Sequence, residues 1–203
     1  VITLALFLVL RGFWPTVTTL LVVILSTIWT FGLMAVLRIP VYAVSTMVPV
    51  MLIAIGVADG IHMYNHLRLF VRANPGVSKP DAVGEMLHSM WKPVFMTSVT
   101  TAVGFLSLLT SSVYPIKYFG IFTGFGVMAA MLFSLVLIPA MIMITGIPKT
   151  KTVAVAAHQT AGGQFAARFT GFVYRHKHAT LGVTILLIAG SLYGISNVWI
   201  NSS

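Results

Sequence analysis

Only one of the three acidic residues in this 203-residue chain falls inside a long apolar stretch. Asp59 is the single charged residue between Arg38 and Arg68, whereas Asp81 and Glu85 belong to a polar segment. A charged side chain at the centre of a lipid bilayer costs about 2.5–3.5 kcal/mol on insertion scales. Such a residue is retained when it faces water or a protein interior and has a task there. Asp59 is therefore the first candidate functional residue.

The chemistry that a lone membrane carboxyl group can perform is reversible proton binding. Removal from water disfavours the ionised form, so a poised Asp59 can take a proton from one side and release it to the other. Each proton crossing the membrane potential yields about 2.3 kcal/mol per 100 mV. His62, three residues further on, is a second candidate for this proton relay. The structural alternatives are a local hydrogen bond for Asp59 and packing for His62.

Small and hydroxyl-bearing residues surround this candidate in the sequence. Gly56 and Gly60 flank Asp59 in a Gly-x-x-x-Gly pattern, which predicts the close approach of another helix. The next apolar stretch supplies candidate polar support for Asp59 from three hydroxyl groups, those of Thr97, Thr100 and Thr101. The same hydroxyls could equally bond to backbone carbonyls of their own helix, the commoner arrangement in membrane helices.

Composition places the chain in lipid. Hydrophobic residues make up 58% and charged residues 7%, against about 25% charged residues in soluble domains. There is no cysteine, no Walker-type loop, no Gly-x-Ser-x-Gly elbow and no His-Glu-x-x-His motif. We therefore expect no enzymatic activity, no cofactor and no metal. The net charge of +9 is better explained by membrane topology than by nucleic-acid binding, so no nucleic-acid partner is expected.

Charge-free stretches divide the chain into helices, because about 20 apolar residues cross the hydrocarbon core and backbone groups there must bond internally. We predict an all-α membrane protein, a polytopic transmembrane helix bundle. Residues 1–147 form this bundle, 148–178 a basic connector, and 198–203 a further segment outside the membrane. The predicted spans are 1–10 (the end of a helix), 16–37, 44–66, 94–112, 119–145 and 179–197. Because the first span is incomplete, we expect a fragment of a longer protein.

Lys and Arg residues are unevenly divided when successive loops are assigned to alternate sides of the membrane. All but two of the twelve fall on one side, the exceptions being Arg38 and Lys117. The positive-inside rule then makes the loops from Arg68 to Lys92 and from Lys149 to Lys177 cytoplasmic. Within the first of these, Ser78 and Asp81 predict a helix start. Its apolar face lies either in the membrane interface or against the protein itself.

Motifs in a fixed order over about 100 residues resemble one transporter family. Residues 53–62 are similar to the fourth membrane helix of MMPL-type transporters, which carries an acid followed by Ile-His. Residues 93–107 are similar to the fifth, with its Thr-Thr-x-x-Gly-Phe signature, and residues 115–140 resemble the sixth. The chain thus resembles the MMPL branch of the resistance-nodulation-division superfamily. The bundle is also similar to a sterol-sensing domain.

This resemblance implies a protein of twelve membrane helices in two similar halves, of which this chain holds helices two to seven. It implies export of lipids, hopanoid-like molecules or other hydrophobic compounds across a cell inner membrane, driven by proton entry, with Asp59 as the proton-relay acid. The partners would be membrane lipids, the hydrophobic substrate, protons and the second half of the same polypeptide. One departure is Gly60, where many members carry Tyr. Lipid sensing without transport is the alternative function, and a protein-translocation subunit is a third.

Overall fold

A computed structural model describes Leu10, residues 12–147 and the isolated positions 175, 176, 182 and 186. The chain divides into two compact units, Val1–Lys149 and Thr150–Ser203. All helices discussed below belong to the first unit. The predicted connector 148–178, the predicted span 179–197 and the segment 198–203 lie outside the described residues, apart from those isolated positions. The first predicted span, 1–10, is represented by Leu10 alone.

Four long helices make up the described part of the first unit. No strand occurs among the described residues, and every one of the four helical segments is long and apolar enough to cross a membrane. The predicted all-α membrane bundle is confirmed. The helices are α1 (Phe13–Val36), α2 (Val48–Ala73), α3 (Lys79–Leu106) and α4 (Tyr114–Thr145), with 3-10 turns at Ala43–Met47 and Ser107–Thr110.

Two helices are longer than the sequence predicts. The third predicted span, 44–66, continues as helix to Ala73, and the fourth, 94–112, is part of a helix that already begins at Lys79. Pro93 lies inside α3 without ending it, although proline supplies no N–H to the helix. At 1.5 Å per residue, the 28 residues of α3 extend about 42 Å. This exceeds the hydrocarbon core of about 30 Å, so α3 projects beyond it.

The first turns of α3 are capped and packed on the protein itself. Ser78 Oγ accepts a hydrogen bond from the backbone N–H of Asp81 at 3.3 Å and donates one to Asp81 Oδ2 at 2.6 Å. This confirms the predicted helix start. Ala82, Val83 and Met86 are buried in the largest core cluster, together with residues of α2 and α4. Of the two arrangements open from the sequence, the structure therefore favours packing against the protein.

The bundle has apolar side chains outside and small or hydroxyl-bearing residues inside. Large apolar side chains on the outer surface include Ile28, Trp29, Leu132, Val136 and Ile144. The buried polar residues are mostly hydroxyls, namely Thr16, Thr18, Thr19, Ser26, Thr30, Ser45, Ser98, Thr123 and Ser134. This distribution suits a lipid solvent, because helix association in lipid depends on close packing rather than on burial of apolar surface.

Glycine sets the distance between α3 and α4. A Cβ added at Gly120 would lie 2.5 Å from the carbonyl oxygen of Phe105 and 2.9 Å from Leu108 Cβ. One turn further along α4, a Cβ at Gly124 would lie 3.3 Å from the carbonyl oxygen of Ala102. The Gly-x-x-x-Gly spacing of α4 therefore places two helix backbones in direct contact.

Replacement of Gly120 by alanine should destabilise the bundle, because the new methyl group meets backbone rather than a movable side chain. Gly104→Ala is the matched control, since no atom lies within 4 Å of a Cβ added there. We expect a lower thermal-unfolding midpoint in detergent for Gly120→Ala and an unchanged or higher one for Gly104→Ala. Equal midpoints for the two variants would contradict the packing described here.

Candidate functional site

Asp59 lies in the middle of α2 and is withdrawn from the surface. Its side chain is 6% exposed, and its Oδ2 atom has no hydrogen-bond partner among the described residues. Gly56 and Gly60, on either side of it, are also buried. A carboxylate oxygen without a donor is an unfavourable arrangement in a protein interior. The position is therefore suited to a carboxyl group that binds a proton or a water molecule.

The two glycines beside Asp59 are the points where α2 contacts α1. A Cβ added at Gly56 would lie 2.9 Å from Val23 Cγ2, and one at Gly60 would lie 2.5 Å from Thr19 Oγ1. The higher-numbered glycine meets the lower-numbered residue, so the two helices run antiparallel. The predicted close approach of a second helix at Gly56 and Gly60 is thus present in the structure, and α1 is that helix.

A stripe of buried hydroxyls on α1 faces the bundle interior. Thr16, Thr19, Ser26 and Thr30 are all buried and recur at the three-, four- and seven-residue spacings of one helical face. Each donates its hydroxyl to a backbone carbonyl of α1 at 2.7–2.9 Å. Each oxygen then keeps lone pairs that can accept a hydrogen bond. Our sequence analysis missed this stripe, although its spacing is visible there.

Tyr64 forms a second polar contact between α1 and α2. It is 2% exposed, and its hydroxyl is in hydrogen-bonding contact with Thr18 and in electrostatic contact with Arg68. The O–H of Thr18 is donated to the carbonyl of Trp14 at 2.8 Å. Arg68 donates to the carbonyl of Leu10. These side chains hold the two helices together one to two turns from Gly60.

The remaining predicted site residues lie in other surroundings. His62 is exposed, whereas Asp59 is buried. Thr97 and Thr100 are exposed and Thr101 is half-buried, and all three donate their hydroxyls to carbonyls of α3 itself. The structure does not bring these hydroxyls to Asp59. Their support for Asp59, and the relay role of His62, stay predictions from the sequence.

No group of three His, Cys, Asp or Glu side chains that could hold a metal ion occurs in the part of the chain that the structure describes. The chemistry available at Asp59 is that of one buried carboxyl group. Such a group can exchange a proton and can reorganise its hydrogen bonds when it does so.

A bundle of membrane helices with one buried acid among the described residues defines a polytopic membrane protein. The chain matches the model of the MMPL family over residues 1–176, and it belongs to that family. This confirms the resemblance found in the sequence. The chain is also similar to Putative membrane protein MJ1562 of Methanocaldococcus jannaschii, with 29% identity over 125 residues. The match covers 62% of this chain and 32% of the relative, so the chain spans about a third of that protein.

Replacement of Gly60 by alanine should disturb the contact between α1 and α2, because the added methyl group would overlap Thr19. We expect a lower thermal-unfolding midpoint for Gly60→Ala and partial recovery in the double variant Gly60→Ala, Thr19→Ala, which removes the opposing atoms. Gly32→Ala on α1, with nothing within 4 Å of its added Cβ, should leave the midpoint near that of the unmodified protein. A double variant no more stable than Gly60→Ala would place the overlap elsewhere.

Proposed function

We propose that this chain is part of a transporter that exports lipids or other hydrophobic compounds and uses the proton-motive force, with Asp59 as the proton-binding group. The observation that carries the proposal is a carboxyl group that is 6% exposed in the middle of a membrane helix and has an oxygen without a partner. A static ion pair or a saturated hydrogen-bond network would suit a structural acid. An oxygen without a donor suits one that changes protonation during a cycle.

The other two acids are placed where a carboxylate stabilises a helix end. Asp81 forms the capping interaction with Ser78, and Glu85 accepts a hydrogen bond from Ser89 at 2.8 Å. Asp81 belongs to the first turn of α3, where a negative charge interacts favourably with the helix dipole, and Glu85 lies one turn further along. This contrast supports a coupling role for Asp59 and a structural role for the other two.

Membership of the MMPL family supports a lipid or another hydrophobic compound as the transported substrate. The positive-inside rule supports a cytoplasmic position for the end of the bundle that carries Arg68 and Lys79, and a cell inner membrane is the location that fits proton coupling. Since the chain spans about a third of the relative it matches, the complete substrate path would include further parts of a longer polypeptide. We propose a transporter and not an enzyme.

Asp59→Asn tests the proposal in the full-length protein, reconstituted in vesicles with a pH gradient. The substitution keeps the size of the side chain and removes the titratable proton. We expect loss of proton-driven substrate export, with normal insertion and an unchanged unfolding midpoint. Glu85→Gln is the matched control and should export at the unmodified rate.

Export at the unmodified rate by Asp59→Asn would refute the coupling role. If lipid binding were then retained and no gradient-dependent export occurred in the unmodified protein either, the alternative of a lipid-sensing module would account for the family membership. Asp59→Glu adds a second comparison, because a longer carboxyl group keeps the proton but moves it. We expect this variant to export at a reduced rate.

A further inference from the structure

Four buried hydroxyl groups have no hydrogen-bond partner among the described residues. They belong to Ser45, Ser98, Thr123 and Ser134, each at most 1% exposed. The buried hydroxyls of α1, by contrast, are bonded to their own helix. A buried polar atom without a partner is unfavourable and is commonly satisfied by an internal water molecule. One of the four, Ser134, lies at the depth of Asp59.

The depth of Ser134 follows from the packing of α4 on α2. A Cβ added at Gly126 would lie 2.9 Å from both Cδ atoms of Leu52, so these two residues are level. Met63 and Leu67 of α2 also belong to the same core cluster as Ile138 and Ile142 of α4. The contacts of Gly120 and Gly124 show that α4 runs antiparallel to α3, and α3 follows α2 after the short segment 74–78, so α2 and α4 run parallel. Because both helices rise equally per residue, Ser134 is about level with Gly60, the residue after Asp59.

The orientation of Ser134 follows from its neighbours on α4. It lies one turn before Ile138 and two turns after Gly126, both of which pack against residues of α2. Asp59 lies one turn before Met63, which belongs to the same cluster as Ile138. Residues one turn apart share a helix face. The buried hydroxyl and the buried carboxyl group therefore lie at about the same depth, on the helix faces by which α2 and α4 pack.

We propose that Ser134 is a positioning residue for Asp59 and that the two side chains hold a water molecule between them. This inference rests on the proposed role of Asp59 in proton coupling. Neither Ser134 Oγ nor Asp59 Oδ2 has a partner in the part of the chain that the structure describes, so no direct hydrogen bond joins them, and a bridging water satisfies both. A water in this position would give Asp59 a proton donor and acceptor on the side of α4.

The bridge works in both protonation states of Asp59. When the carboxylate is ionised, the Ser134 O–H donates to the water and the water donates to Oδ2. When a proton arrives on the carboxyl group, its O–H donates to the water, and the water donates to Ser134 Oγ. No bond other than the one to the arriving proton is formed, and each hydroxyl only reverses its direction. A hydroxyl is suited to this because it donates and accepts.

Few other titratable groups face this space. α1 has none along its length, and the titratable residues of α4 are confined to its first turns, at Tyr114, Lys117 and Tyr118. On α2, Tyr64 is buried more than one turn away and His62 is exposed. His66 is half-buried two turns away, and its Nδ1 has no partner among the described residues. On α3, Lys92 is exposed, with Nζ 5.8 Å from the Trp91 ring centroid. All of these remain in the variants below, so they do not distinguish one variant from another.

Ser98 provides a matched control on the neighbouring helix. It is as buried as Ser134 and has the same unpartnered hydroxyl. The contacts of Gly124 with Ala102 and of Gly120 with Phe105 show that α3 and α4 run antiparallel, which makes Ser98 level with Met128. Ser134 is six residues further along α4, or about 9 Å. Ser98→Ala therefore removes an equivalent hydroxyl away from the depth of Asp59.

The test measures proton-driven export by the full-length protein in vesicles over a range of external pH. For Ser134→Ala we expect about a fivefold lower rate, the effect of losing one ordinary hydrogen bond, together with a displaced pH profile. Ser98→Ala should keep the unmodified pH profile, because its hydroxyl is remote from the carboxyl group. Ser134→Cys keeps the size of the side chain with a weaker hydrogen bond and should fall between serine and alanine.

The outcomes separate this inference from the function on which it rests. An inactive Asp59→Asn variant with an unchanged profile in Ser134→Ala would overturn the bridge and leave the coupling role in place. The same holds if Ser98→Ala displaced the profile as far as Ser134→Ala, since the effect would then reflect a cavity and not a position. Unmodified export by Asp59→Asn would overturn both proposals together.

Discussion

The close contact between α1 and α2 at Gly56 and Gly60 is the constraint on which the site depends. Without side chains at these two positions, the helix that carries Asp59 lies directly on Val23 and Thr19. A larger residue at either glycine would separate the helices and admit lipid or water beside the carboxyl group. The burial of Asp59 is therefore a product of its neighbours in sequence as much as of its own position. Tyr64 and Arg68 continue the same helix contact towards the end of the bundle.

Lipid as the solvent explains why the interior of the bundle carries buried hydroxyls as well as apolar side chains. In water, burial of apolar side chains supplies the driving force for folding, but between helices in lipid that term is nearly absent. Close helix contact at Gly120, Gly124 and Gly126 takes its place, and the buried hydroxyls of α1 bond to carbonyls of their own chain segment.

Much of the fold could be predicted from the sequence because lipid permits few alternatives to a helix. The distribution of charge located all four described helices, and the Gly-x-x-x-Gly pattern around Asp59 located one helix contact. The continuity of α3 was not predictable from residue types alone, since Pro93 usually ends a helix and here does not. The site was predicted where a rare residue type marks it, at Asp59. Tyr64, Ser98 and Ser134 carry no such mark, because only tertiary packing decides which hydroxyls are buried and which of those lack a partner among the described residues.

Pro93 introduces a local weakness at a particular depth in α3. Proline has no N–H to donate to the carbonyl of Ser89, so one backbone hydrogen bond of the helix is missing there. Helices bend most readily at such positions. The antiparallel contacts of α3 with α4 make Pro93 level with Phe133, and hence with Asp59. The part of α3 that precedes Pro93 is anchored by Ala82 and Met86 in the core. If the part of α3 after Pro93 tilts, the bend lies at the depth of Asp59. A small change in the helix angle there would alter the packing around the carboxyl group.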